Sequence, residues 1–397
     1  MKTAINTSRF ICRFLACWAL FAAFSLSIAQ AVEPESWLGL PVTFVDDGYT
    51  YHGGPARGLR DIKLHTTDPI QVNKGWVKPD WGAWITGGKT NRVRLDAEEI
   101  VAKPSALLRL GMVDGKTTHK LTGLHFTRLK LLLGANSITL PEGEMEFAED
   151  GTLSHIRLAI DSFAKFDVVP KEGKLTVLMQ TTGMWKWNVL SAVRFDTLVA
   201  QGDITDDGVT FDKIGGTGDG GSMEGVVRLT VTDKFQFDGD IELDKLKSAD
   251  LLSRFFAGHT VQGALTAKVK FSAQGESLAD AAKAVTASGT YHLHSGSIDR
   301  LGVLEGLRRA TSGPAGGGLT KFLELDGSFS GATGKATSVT IRRLDGGAMQ
   351  GSGSFQIAND GSLRGNLAAA IKLPNGDSKS RAMALGGRVN APDLIVP

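Results

Sequence analysis

Phe235-Gln236-Phe237-Asp238-Gly239-Asp240-Ile241-Glu242-Leu243-Asp244 and Val261-Gln262-Gly263-Ala264-Leu265-Thr266-Ala267-Lys268-Val269-Lys270-Phe271-Ser272-Ala273-Gln274 decide the fold. Successive side chains on a strand point to opposite faces. The first segment therefore puts Phe235, Phe237, Gly239, Ile241 and Leu243 on one side and Gln236 with four acids on the other. The second repeats this, with Val261, Leu265, Val269 and Phe271 facing away from Lys268 and Lys270. Antiparallel strands with one greasy and one wet face need a cover on the greasy face. Protein or lipid can supply it.

The same grammar runs outward in both directions. Upstream, strand-like pieces recur at 49–54, 60–64, 92–95, 124–133, 143–147, 153–160, 174–180, 202–211 and 225–232. Downstream they resume at 323–329, 338–342, 349–357 and 363–373, with Phe355 and Ile357 continuing the apolar series. Asp-Gly turns punctuate the series at Asp150-Gly151, Asp207-Gly208 and Asp360-Gly361. Short helices are expected near 103–109, 248–257, 277–287 and 299–310, the third capped by Ser277 with Asp280 in its first turn. The sum is a mainly β chain: an elongated, curved antiparallel sheet, forming an open groove or a rolled sheet, with a few short helices.

Composition agrees. The 397 residues hold 49 glycines but only 12 prolines, which suits tight turns between strands. Net charge is +2, so nothing electrostatic points to nucleic acid. Lys2, Arg9 and Arg13 precede an uncharged run from Phe14 to Ile28 and a small-x-small site at Ala29-Gln30-Ala31. These are the three parts of a secretory signal peptide over 1–31. Retention of 14–32 as a membrane anchor is the alternative, since the run is about long enough to span a bilayer. Cys12 and Cys17 lie inside this segment, so a cleaved chain has no thiol. It would carry 41 basic and 42 acidic residues, because the removed piece holds three cations and no acid.

At Gly202 the chain begins to resemble a known family. Leu198-Val199-Ala200-Gln201-Gly202-Asp203-Ile204, Gly220-Gly221-Ser222-Met223-Glu224-Gly225 and Asp250-Leu251-Leu252 are similar to the bacterial AsmA-like envelope proteins. So are Gly275-Glu276-Ser277-Leu278-Ala279-Asp280, Ala287-Ser288-Gly289-Thr290-Tyr291, Gly296-Ser297-Ile298, Gly351-Ser352-Gly353-Ser354-Phe355 and Leu385-Gly386-Gly387-Arg388-Val389-Asn390. The likeness covers about 40–397 and is strongest after 198, giving an N-terminal β-rich module at 32–197 and a C-terminal β-groove module at 198–397. It implies a long sheet with an apolar inner groove, on the periplasmic side of a Gram-negative envelope. It also implies binding or conduction of phospholipid, or another envelope lipid, in outer-membrane biogenesis, with an inner-membrane association if the anchor is kept. This chain is short for that family, and its leader looks cleavable where many members keep an anchor.

On this reading the groove is lined by Phe235, Phe237, Ile241, Leu243, Val261, Leu265, Val269, Phe271, Phe355 and Ile357. The competing reading makes the same face an ordinary closed core in a periplasmic scaffold or binding module. Catalytic and cofactor signatures are missing from the sequence. Gly87-Gly88-Lys89-Thr90 has Ala83 where a P-loop needs glycine. Ser162-x-x-Lys165 lacks its partner motifs, and in the glycine-rich run 215–221 Asp219 is one place off for a calcium repeat. His292-x-His294 would point one way from a strand, as zinc ligands do. No carboxylate or third histidine lies nearby in sequence, so they read as solvent-facing. The expectation is therefore a non-enzyme with no metal and no cofactor. Trp76, Trp81 and Trp84 read as sealing a sheet end.

Overall fold

A computed structural model describes residues 42–65, 67–80, 92–110, 120–159, 164–186, 194–252, 261–309, 311–314 and 316–397. The leader or anchor at 1–32, Trp81, Trp84, the 87–90 segment, Ser162 and residues 253–257 lie outside the described residues. The strands are β1 (Val42–Tyr51), β2 (Pro55–Leu64), β3 (Ile70–Pro79), β4 (Arg92–Ala102), β5 (Lys120–Leu133), β6 (Asn136–Leu140), β7 (Gly143–Phe147), β8 (Leu153–Ala159), β9 (Ala164–Lys171) and β10 (Lys174–Lys186). They continue as β11 (Arg194–Thr205), β12 (Gly208–Gly218), β13 (Gly221–Val231), β14 (Phe235–Lys247), β15 (Val261–Gly275), β16 (Thr286–Leu301), β17 (Gly313–Pro314), β18 (Gly316–Ala332), β19 (Thr337–Asp345), β20 (Met349–Ile357), β21 (Leu363–Lys372), β22 (Ser378–Arg388) and β23 (Ala391–Val396). The helices are α1 (Pro104–Leu108), α2 (Ser248–Leu252), α3 (Leu278–Lys283) and α4 (Val303–Arg308). The protein is mainly β, as its alternation requires.

Two compact units divide the chain. One takes residues 1–133, 137–160 and 167–176; the other takes 134–136, 161–166 and 177–397. In the first, β1, β2, β3 and β4 pair antiparallel in order. Then β4 pairs β5 in parallel, and β5–β7–β8 resume the antiparallel meander. A parallel pair needs a crossover rather than a hairpin, and α1 lies on it. Ala106 and Leu107 of α1 are buried with Leu59, Ile70, Ile100, Phe126 and Met145. A void of about 30 Å³ remains beside Ile70, Ile100, Leu107 and Met145, lined wholly by apolar groups. That is room for a water or two, so this unit has a packed core.

In the second unit the strands from β11 onward pair antiparallel, in the order β11–β12–β13–β14–β15–β16–β18–β19–β20–β21–β22–β23–β17. Among the described residues no ladder joins β11 to β23, so the sheet is open. Register slips occur on β14 at Leu243/Leu246, β15 at Gln262/Ala264, β18 at Asp326/Gly327 and β19 at Ile341/Leu344. Bulges bend a strand and raise its twist. With them at this level, the sheet curls until β23 lies against β16 and β18, around α4.

Candidate functional site: a one-sided apolar face

Cross-strand partners in an antiparallel ladder share a face, so pairings can be followed across the second unit. Ala200, Ile214, Gly225, Ile241, Val269, Gly289, Phe329, Val339, Phe355, Gly365, Leu385 and Leu394 form one unbroken row over twelve strands. Every member is apolar or glycine. The next row, from Leu198 through Leu243, Ala267, Tyr291, Gly327 and Ile341 to Met383, has one polar atom, the Tyr291 hydroxyl. That group donates to the Thr340 carbonyl at 3.2 Å.

The opposite face is wet. Glu242 meets Lys268 at 2.6 Å, Asp240 meets Lys270 at 3.4 Å and Arg228 meets Asp238 at 3.7 Å. The Glu242 carboxylate, as hydrogen-bond acceptor, raises the Lys268 pKa above its ordinary value. Exposed pairs of this kind contribute little to stability; they hold the register and keep that face in water.

Helices cover parts of the apolar face. Ser277 caps α3, accepting from the Asp280 amide at 3.1 Å. The helix folds back on the end of β15, with Ala281 fully buried over Gly275. Phe235, opposite Gly275, is buried there. At the curled end, α4 buries Val303, Gly306 and Leu307 against Leu293, Leu325, Leu344, Leu367, Met383 and Leu394. Strand β16 runs on to Leu301, so α4 occupies only Val303–Arg308 of the helix expected at 299–310. Leu301 pairs with Gly317 in the ladder instead. Both helix ends are satisfied from the sheet. The buried Thr320 hydroxyl accepts from the Val303 amide at 3.0 Å, and Arg381 donates to the Arg309 carbonyl at 2.8 Å.

Between the covered parts lies an apolar strip of half-buried side chains: Phe237, Ile241, Val269, Phe271, Phe329, Val339 and Phe355. Of the ten residues expected to line a groove, Phe237, Ile241, Val269, Phe271 and Phe355 fall on this strip. Ile357 lies half-buried at the far end of β20. Leu265 is only 8% exposed, inside the core around α4. Leu243 and Val261 pack on that core's edge, as do Val269 and Phe355 from the strip, and Phe235 sits under α3. The alternation could not distinguish these environments, because capped and open stretches of one face have the same period. Phe329 and Val339 are strip residues that were not singled out, although their strands were.

The strip is smooth for a reason written in its glycines. Phe271 lies across Gly239, Phe329 across Gly289 and Tyr291 across Gly327, so that a Cβ on any of the three would meet the ring. Ring over glycine flattens the surface and keeps the aromatics from standing upright.

No helix among the described residues is long and apolar enough to cross a membrane. Comparison with family models, with curated proteins and with solved structures finds no match to this chain.

Proposed function

We propose that this protein is a non-enzymatic lipid handler of the periplasm that holds phospholipid acyl chains along the strip, with the headgroups toward water. The observation that carries the reading is the run of apolar partners through Ile241, Val269, Phe329, Val339 and Phe355, left half-covered between helix-capped stretches. Bringing seven such side chains from half-buried to buried would contribute on the order of 5–10 kcal/mol. From β14 to β20 the strip crosses five interstrand steps of about 4.8 Å, roughly 24 Å. One leaflet's share of a bilayer core is about 15 Å, so an acyl chain can lie along it without reaching past its edge. The backbone beneath is hydrogen-bonded within the sheet's ladders. The secretory leader, the resemblance to AsmA-like envelope proteins and a role in outer-membrane biogenesis belong to the same proposal.

The packed core of the first unit and the α4 roll favour a second reading for those parts, a scaffold that binds protein. One experiment separates the two. Purified full chain is extracted for lipid and analysed by native mass spectrometry. Co-purifying phospholipid that is lost in Val269→Asp supports the lipid reading. An apo mass throughout, or equal occupancy in a folded Val269→Asp variant, overturns it.

A further inference from the structure

We propose that His292, His294 and Glu324 form a binding site for a divalent transition metal of the zinc type on the wet face of the second unit. The two histidines sit at i and i+2 on β16, so both rings leave the same side of the strand. On β18, Glu324 is the direct cross-strand partner of His294, two residues from the partner of His292. One ligand atom from each of the three lies within 4.8 Å of the other two. A tetrahedral zinc with bonds of about 2.1 Å sets its ligands about 3.4 Å apart, a closure that side-chain rotation supplies. Two neutral imidazoles and a carboxylate are a zinc-type donor set, and three protein ligands leave one position for water or a partner's side chain.

The local charges fit a site that exchanges a cation for a guanidinium. Glu324 accepts from Arg343 at 2.9 Å, and Arg343 also donates to Asp345 at 2.7 Å. When a metal takes Glu324, the guanidinium keeps Asp345. Asp326, opposite His292, is held by Arg342 at 3.5 Å and stays outside the donor set. Beside the site, Ser295 has a φ of 49°. This left-handed residue lies at the register slip of β15 against β16, between His294 and Gly296. The metal would bridge the two strands that flank α4, so it would fasten the rolled end of the sheet.

The test titrates zinc chloride into chelator-treated full-length protein by calorimetry, with Co²⁺ absorption reporting the coordination. Expected is one saturable site, weakened about tenfold or more in His292→Ala, His294→Ala and the isosteric Glu324→Gln. Arg343→Gln should tighten it severalfold, because it removes the competing cation. It should also raise the melting temperature with zinc, since a ligand of the folded state stabilises it. Circular dichroism confirms that each variant is folded. Weak multi-site uptake, or an affinity unchanged by His294→Ala and Glu324→Gln, overturns the assignment.

Discussion

Phe329 on β18 lies flat across Gly289 on β16, where a Cβ would stand 3.0 Å from the ring's Cε1 and closer still to the Lys268 carbonyl. The pair is one site in a row where glycines are interspersed among large side chains. A methyl group at 289 must push either a ring or a backbone, and overpacking of this kind costs about 1–3 kcal/mol. Gly289→Ala should therefore lower the unfolding free energy by that amount, read as a lower urea midpoint at unchanged slope. Gly215→Ala, where a Cβ meets nothing within 4 Å, should leave it nearly unchanged.

Leu265 and Val269 lie two repeats apart on the same face of β15 and differ in their surroundings. Leu265 is buried in the core around α4, whereas Val269 is half-buried on the strip and only borders that core. An aspartate at 265 places an unpaired charge in a sealed core, a loss of about 3 kcal/mol or more. Leu265→Asp should give little folded protein. Val269→Asp should fold, with a stability loss of about 1 kcal/mol, and should lose phospholipid. Thermal melts and lipid extraction on the same preparations check both.

Which parts of this arrangement the sequence announced follows from distance along the chain. The strand alternation, the Asp-Gly turns and the Ser277 cap are local, and each stands where its residues place it. Asp150 and Asp360 accept from the amides two residues on, at 2.9 and 3.0 Å. The environment of the apolar face is not local. Phe235 and Ile241 read alike, yet one lies under α3 and the other on the strip. The parallel β4–β5 pair was hidden because both strands alternate as hairpin strands do. Leu301, Leu304 and Leu307 recur at helical spacing, but Leu301 is held in the β16 ladder. Glu324 stands 30 residues from His294 and meets it only through the β16–β18 register, so the histidine pair read as solvent-facing.

Tyr291 supplies a pH dependence. Burial raises its pKa above the ordinary tyrosine value, and the nearby Asp326 carboxylate raises it further. The unfolded chain ionises this phenol near pH 10, whereas the folded chain keeps it neutral to higher pH. The resulting stability is whole below pH 10 and is lost as pH climbs from there toward the raised folded value. The loss can reach about 1.4 kcal/mol per pH unit. Tyr291→Phe should cost about 1 kcal/mol at pH 8, from the hydrogen bond to Thr340, and should fall less steeply between pH 10 and 11. Parallel slopes for the two proteins in denaturant titrations would count against this account.

Helix α4 is short, so its existence rests on its caps and its buried face. Thr320 and Arg381 reach it from strands β18 and β22, at opposite ends. Arg381 also points at the Gly306 carbonyl at 3.4 Å, placing a cation at the helix C-terminus where the peptide dipoles favour it. Thr320→Val leaves the buried Val303 amide without its acceptor, at about 1–3 kcal/mol. Arg381→Met keeps the stem and removes a charge-assisted bond, at about 1.5–3 kcal/mol. Both act by holding one helix, so the double variant should lose less than the sum, with a coupling of about 0.5 kcal/mol or more. A strictly additive double-mutant cycle would mean that α4 stays in place without its caps. If instead the helix leaves, Leu293, Leu325 and Leu344 become accessible, and binding of a fluorescent hydrophobic dye should rise in the double variant before the sheet unfolds.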